Sequence, residues 1–196
     1  ALGLGLKIPL GSHIDSMETV PGVWDISPPI TQLTTGSQDL MFYTFFFRDY
    51  QKQTLRIFVN SLYIRRGYNS LGLKFGDYSS IGLFASKRIY RKWGLTGQLK
   101  GEWIKEMELG KVFDDVEDWI VEEWRWKQQY TGGKKLLFIP QISYSQNNIT
   151  VFATSTIPLY QYLNGVQIGS KHQFTIGVNY RFLTKEYESE ILNLGK

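Results

Sequence analysis

The chain has 196 residues, of which 42% are hydrophobic and 15% aromatic, with no cysteine and a formal net charge of +4. That length suits one domain, the apolar share is too high for intrinsic disorder, and no run of about 18 apolar residues offers a transmembrane helix. Lack of cysteine removes disulfides, thiolate zinc sites and thiol nucleophiles.

Residues 1–10, ALGLGLKIPL, put Leu2, Leu4, Leu6, Ile8 and Leu10 on one side of an extended chain and Lys7 on the other. A helix would scatter those leucines, so the spacing predicts a strand. A loop rich in Pro, Gly, Ser and Thr then occupies residues 11–38. Strands are predicted over residues 40–49 and 54–65, joined by a short turn, and over 79–89 after a medium loop. A tight turn at 90–92 leads into residues 93–103, where Trp93, Leu95, Leu99 and Trp103 alternate with Gln98, Lys100 and Glu102.

The long segment 105–135 follows, and its residues 114–130 break the period of two. Within it Phe113, Val116, Trp119, Ile120 and Trp124 recur near helical spacing, and Asp114 and Asp115 suit a helix start, so a short amphipathic helix outside the sheet is expected. Its tryptophans Trp119, Trp124 and Trp126 are candidates for contact with the rim, with lipid headgroups or with another protein. Strands are predicted again over 136–145 and 149–158 around the turn 146–148. After a longer loop, 172–182 closes the series with Phe174, Ile176, Val178, Tyr180 and Phe182 opposite Asn179 and Arg181.

Eight strands of nine to thirteen residues, with loops alternating long and short, match an outer-membrane β-barrel with short periplasmic turns and long external loops. In that reading the apolar faces meet lipid, and Lys7, Gln98, Lys100, Glu102, Asn179 and Arg181 are the polar candidates for the lumen. Trp93, Trp103, Tyr180 and Phe182 are expected in aromatic girdles. The two tryptophans stand ten residues apart, which at about 3.3 Å per residue and a tilt of about 40° approximates the apolar band. A soluble sandwich or lipocalin-like barrel would also alternate. Residues 1–183 are read as the barrel and 184–196 as a periplasmic tail. The chain opens at Ala1 directly on a strand pattern, as a processed or truncated chain would.

The last stretch, 157–182, carries Pro-Leu-Tyr-Gln (158–161), an Asn-Gly turn (164–165) and Tyr-Arg-Phe (180–182). It resembles the closing hairpin of the bacterial outer-membrane family of meta-pathway (phenol degradation) transporters. The opening ALGLGLKIPLGS resembles that family's strand before a long external loop, and Thr35–Leu40, TGSQDL, the Gly-Ser-x-Asp stretch that brings the chain back. The resemblance implies the outer membrane of a Gram-negative bacterium and passive transport of small solutes, aromatic or hydrophobic ones among them. It also implies a larger barrel of about twelve strands, of which this chain would supply eight.

Other chemistry finds little support in the sequence. The two histidines, His13 and His172, lie far apart, and Ser12, His13 and Asp15 are too close in sequence for a catalytic triad, so no enzyme is expected. No ligand spacing suggests a metal, no glycine-rich loop a phosphate cofactor, and no basic cluster a nucleic acid. The expected partners are outer-membrane lipids, with other outer-membrane or periplasmic proteins meeting loop 105–135 and tail 184–196. The alternative function is a structural or accessory barrel subunit of an outer-membrane complex, without transport. A charged lumen would steer a polar solute, whereas a narrow barrel would be plugged by its own side chains.

Overall fold

Alternating side chains and three short connections place most of the chain in one antiparallel sheet of eight strands. The computed structural model describes residues 1–27, 31–50, 54–90, 92–110 and 130–182. In chain order the sheet contains β1 (Leu2–Lys7), β4 (Asp39–Tyr50), β5 (Leu55–Arg65), β7 (Tyr78–Tyr90), β8 (Trp93–Ile104), β10 (Gly133–Gln146), β11 (Ile149–Leu163) and β12 (Gln173–Tyr180). Each strand pairs with its predecessor and successor in that order, without a crossover. The chain is therefore all-β, as its periodicity predicts.

The connections fall into two sets. Short turns join β4 to β5, β7 to β8 and β10 to β11 at one end of the sheet, and the long loops gather at the other. At the β10–β11 turn Asn147 takes a φ of 52°, in the left-handed region that asparagine tolerates better than most residues. Two additions escaped the sequence reading. A small hairpin, β2 (Ser16–Val20) with β3 (Val23–Ile26), stands within the first long loop, and β6 (Leu73–Lys74) pairs with β9 (Glu108–Leu109) to tie two long loops together. Both involve short segments with little alternation to read.

Boundaries also moved. β10 begins at Gly133, three residues before the predicted strand, because the chain turns at Gly132, whose φ is 79°. β11 runs on to Leu163 through Pro158, which sits at the register slip in the β10–β11 ladder where its missing N–H is tolerated. The Pro-Leu-Tyr-Gln run is thus strand, and the predicted Asn164–Gly165 turn follows it, with Gly165 at φ 61°.

The hairpins are stepped. The end pair of the β4–β5 hairpin, Tyr50↔Leu55, lies on a register line through Lys87 to Leu95, two residues inside Trp93, where the β7–β8 hairpin ends. Trp93 in turn pairs with Tyr144, two residues inside Gln146, the end of the β10–β11 hairpin. The stagger is one residue per strand.

Register sorts the side chains onto two faces. Leu4, Phe42, Tyr63, Ser79, Trp103, Lys134 and Tyr162 form one transverse line, and Leu2, Thr44, Ser61, Ile81, Gly101, Leu136 and Tyr160 form the next. This face is mostly apolar, with Thr44, Ser61 and Ser79 among its polar members, and its charged members Arg48, Arg65, Lys87 and Lys134 stand toward strand ends. The sheet has hardly any core beneath it: among the described residues only Leu73 and Leu137 are buried apolar side chains.

The expected closed barrel is the point of correction. β1 pairs only with β4 and β12 only with β11, so the eight-stranded sheet is open at both edges. A physical reason lies on the polar face, which Tyr43, Phe45, Phe47, Phe58, Phe84 and Phe152 share with the Lys7–Asp39 and Lys100–Glu102 pairs. A closed eight-stranded interior is already filled by ordinary side chains and is crowded by that many rings.

Candidate functional site on the polar face

The centre of the polar face is built by β5, β7 and β8. Phe47, Phe58, Phe84 and Gln98 share one register line, and Phe45, Asn60, Gly82 and Lys100 share the next. The Phe58 and Phe84 rings stack with centroids 4.2 Å apart, and Phe45 leans on Phe58 at 6.1 Å. Gly82 leaves a gap that the Asn60 side chain enters, since a Cβ there would lie 2.4 Å from Asn60 Oδ1. An aromatic row ending in Gln98 therefore borders a row that holds Asn60 and Lys100. The signal was present in Phe45-Phe46-Phe47, a run that puts rings on both faces, but periodicity alone assigns such a run only to the lipid side.

Above these rows Lys100 Nζ meets Glu102 Oε1 at 2.7 Å, and the Tyr78 hydroxyl donates to the same carboxylate at 2.9 Å. Lys100, Glu102 and Tyr78 thus form one cluster, and Gln98 stands next to Lys100 along the same face of β8. Lys7 shares their face but lies four strands away, and its partner is Asp39 at 3.0 Å. Asp39 is only 2% exposed and also accepts from Ser37 Oγ at 2.8 Å, while Thr35 bonds Ser37. The TGSQD stretch is thus a folded-back return that buries its own carboxylate, a role the sequence left unread. Asn179 pairs with Thr150 on the same face at the far edge, and Arg181 follows β12 with its backbone N–H on Asn148. The structure brings neither of these to Lys7 or Lys100.

Trp93 and Trp103 stand at opposite ends of β8 on the apolar face. Trp93 contacts Tyr144 at 5.0 Å, and Tyr180 and Phe182 lie at the same short-turn end, with their rings 6.3 Å apart. Trp103 shares its line with Tyr63 and Tyr162. Trp119, Trp124 and Trp126, the helix expected around them and the tail 184–196 lie outside the described residues.

At the loop end, His13 Nε2 lies 2.7 Å from Ser70 Oγ, beside a pocket of about 190 Å³ lined by Leu71, Leu73 and Phe75. No carboxylate bonds this histidine among the described residues. Nearby, Glu108 accepts from Lys105 and from Lys74, the latter at 3.2 Å. Those hydrogen bonds, Lys105 first, hold its carboxyl below the ordinary value of 4.5, and the same contact raises Lys105. Among the described residues no three His, Asp or Glu side chains converge as metal ligands.

Fold and site together define an all-β protein built on one large antiparallel sheet. No protein-family model, curated protein or solved structure matches the chain.

Proposed function

We propose that the sheet is the wall of a transmembrane β-barrel in the outer membrane of a Gram-negative bacterium, and that the barrel is a passive channel for small solutes. The observation that carries this reading is an inversion of faces. On the central strands Ile81, Leu83, Leu95 and Leu99 are exposed, whereas Ser80, Ser86, Thr96, Gln98, Lys100 and Glu102 opposite them are half-buried. In water that arrangement leaves a wide apolar surface unprotected; against lipid it is the favourable one. The stagger supports it too, because one residue of about 3.3 Å per strand spacing of about 4.8 Å corresponds to a tilt of about 35°, in the range of membrane barrels.

The resemblance to the meta-pathway transporters points the same way, and so does the aromatic row. A solute with an aromatic ring would stack on Phe58 and Phe84 and offer its polar substituent to Asn60 or Gln98. The open edges are closed in this reading by further strands of a larger barrel. The test is reconstitution into lipid bilayers: we expect ion conductance and phenol flux, with Phe58→Ala lowering phenol flux relative to that of a sugar of similar size. An inserted protein without conductance would leave the structural-subunit role in its place, and a protein that stays in buffer without detergent would end both.

A further inference from the structure

Two adjoining hollows mark the apolar face at its long-loop end. The upper one, of about 550 Å³, is bordered by Tyr63, Trp103, Lys134 and Tyr162. The lower one, of about 370 Å³, runs between Ile81, Leu83, Leu99, Leu136 and Tyr160, with Gly101 as its floor. Trp103 and Lys134 border both, so the hollows form one groove along the strands. Gly101 shapes it: a Cβ there would stand 2.8 Å from the Trp103 indole, which lies over the bare backbone as a side wall.

The charges at the upper end are unequal in their engagement. Asp77 accepts from the Arg66 backbone N–H at 2.9 Å and from the Tyr63 hydroxyl at 3.2 Å. Glu106 accepts from the Asn164 amide at 2.7 Å, and Lys105 is held by Glu108. Lys134 is exposed, and its ammonium has no hydrogen bond or ion pair among the described residues. Its cross-strand neighbours are Trp103 and Tyr162. The acids are satisfied, and one ammonium with three free donors stands at the mouth of an apolar slot.

We infer that this groove holds one membrane lipid, with an anionic phosphate headgroup on Lys134 and an acyl chain in the slot between Leu83, Leu99 and Leu136. The inference rests on the transmembrane reading above. Lys134 supplies charge complementarity to the phosphate, the two aromatic neighbours supply the interfacial walls, and Leu83, Leu99 and Leu136 line the slot for the chain.

The test uses detergent-purified protein, phosphatidylglycerol and phosphatidylcholine as probes, and native mass spectrometry to count retained lipid. Phosphatidylglycerol should be retained over phosphatidylcholine by about fivefold, the factor expected of one lysine near an anionic surface. Lys134→Gln should abolish the preference and Lys134→Arg should keep it. A preference for phosphatidylglycerol that persists undiminished in Lys134→Gln would overturn the proposal, as would displacement of the lipid by soluble glycerol 3-phosphate, which has no chain for the slot. Flotation with neutral phosphatidylcholine vesicles separates the two readings. Wild type and Lys134→Gln should both float; if neither does, the membrane reading falls along with the lipid site.

Discussion

Asp39 is the residue on which the first long loop turns. Its carboxylate takes Lys7 from β1, Ser37 from the returning loop and, at 3.3 Å, the backbone N–H of Gly67 from the next long connection. Asp39→Ala would strand those donors in a buried place and should cost about 3 kcal/mol, less the share that half-exposed Lys7 recovers from water. The expected readout is a lower urea midpoint in vesicles, with faster proteolysis within residues 11–38. Glu108 offers a titratable counterpart. Its carboxyl is depressed by Lys105 and Lys74, so the contact is fully present above the ordinary carboxylate value. It weakens as pH falls below 4.5, once the carboxyl takes up its proton. The hydrogen-exchange protection factors of the β6 and β9 amides should fall over that acidic range in wild type. In Glu108→Gln protection should be low and independent of pH there.

Each strand of the central sheet has two unlike sides, and neighbouring positions should respond to one substitution in opposite ways. Leu99→Lys would put an ammonium midway between Trp93 and Trp103 on the apolar face, at a cost of about 2–4 kcal/mol against lipid. Gln98→Lys, one residue away and facing Lys100 and the aromatic row, should cost far less and should shift ion selectivity toward anions. Comparing the two unfolding free energies in the same vesicles checks the assignment of faces. Gly165→Ala tests the turn after β11. Its φ of 61° disfavours a side chain, and the added methyl would stand 2.1 Å from the Tyr130 ring; about 1–2 kcal/mol should be lost. The main strands were legible because a period of two survives any tertiary context that keeps one face apolar. β2, β3, β6 and β9 were not, being two to five residues long and fixed by contacts between loops. Of the polar candidates, Gln98, Lys100 and Glu102 could be read from a single strand. The Lys7–Asp39 pair and the row Phe47–Phe58–Phe84 needed cross-strand register, which no single segment encodes.

At the scale of the whole molecule, the two edges set the outstanding question of closure. Amide groups of β1 and β12 that point away from β4 and β11 should exchange slowly in the membrane-inserted protein if further strands complete the barrel. Rapid exchange there would mean that the edges stay unpaired, and the channel proposal would lose its wall.

The stepped hairpins turn that question into a length. At a tilt of about 35° each strand takes up about 5.9 Å of circumference, so eight strands make an arc of about 47 Å. Bent into a full circle, that arc has a backbone diameter of about 15 Å, which the phenylalanine row and the Lys100–Glu102 pair would fill from within. Each additional strand at the same stagger widens the ring by about 1.9 Å, and about four of them bring it to roughly 22 Å. The one-residue step thus acts as a gauge, relating the number of strands directly to the bore.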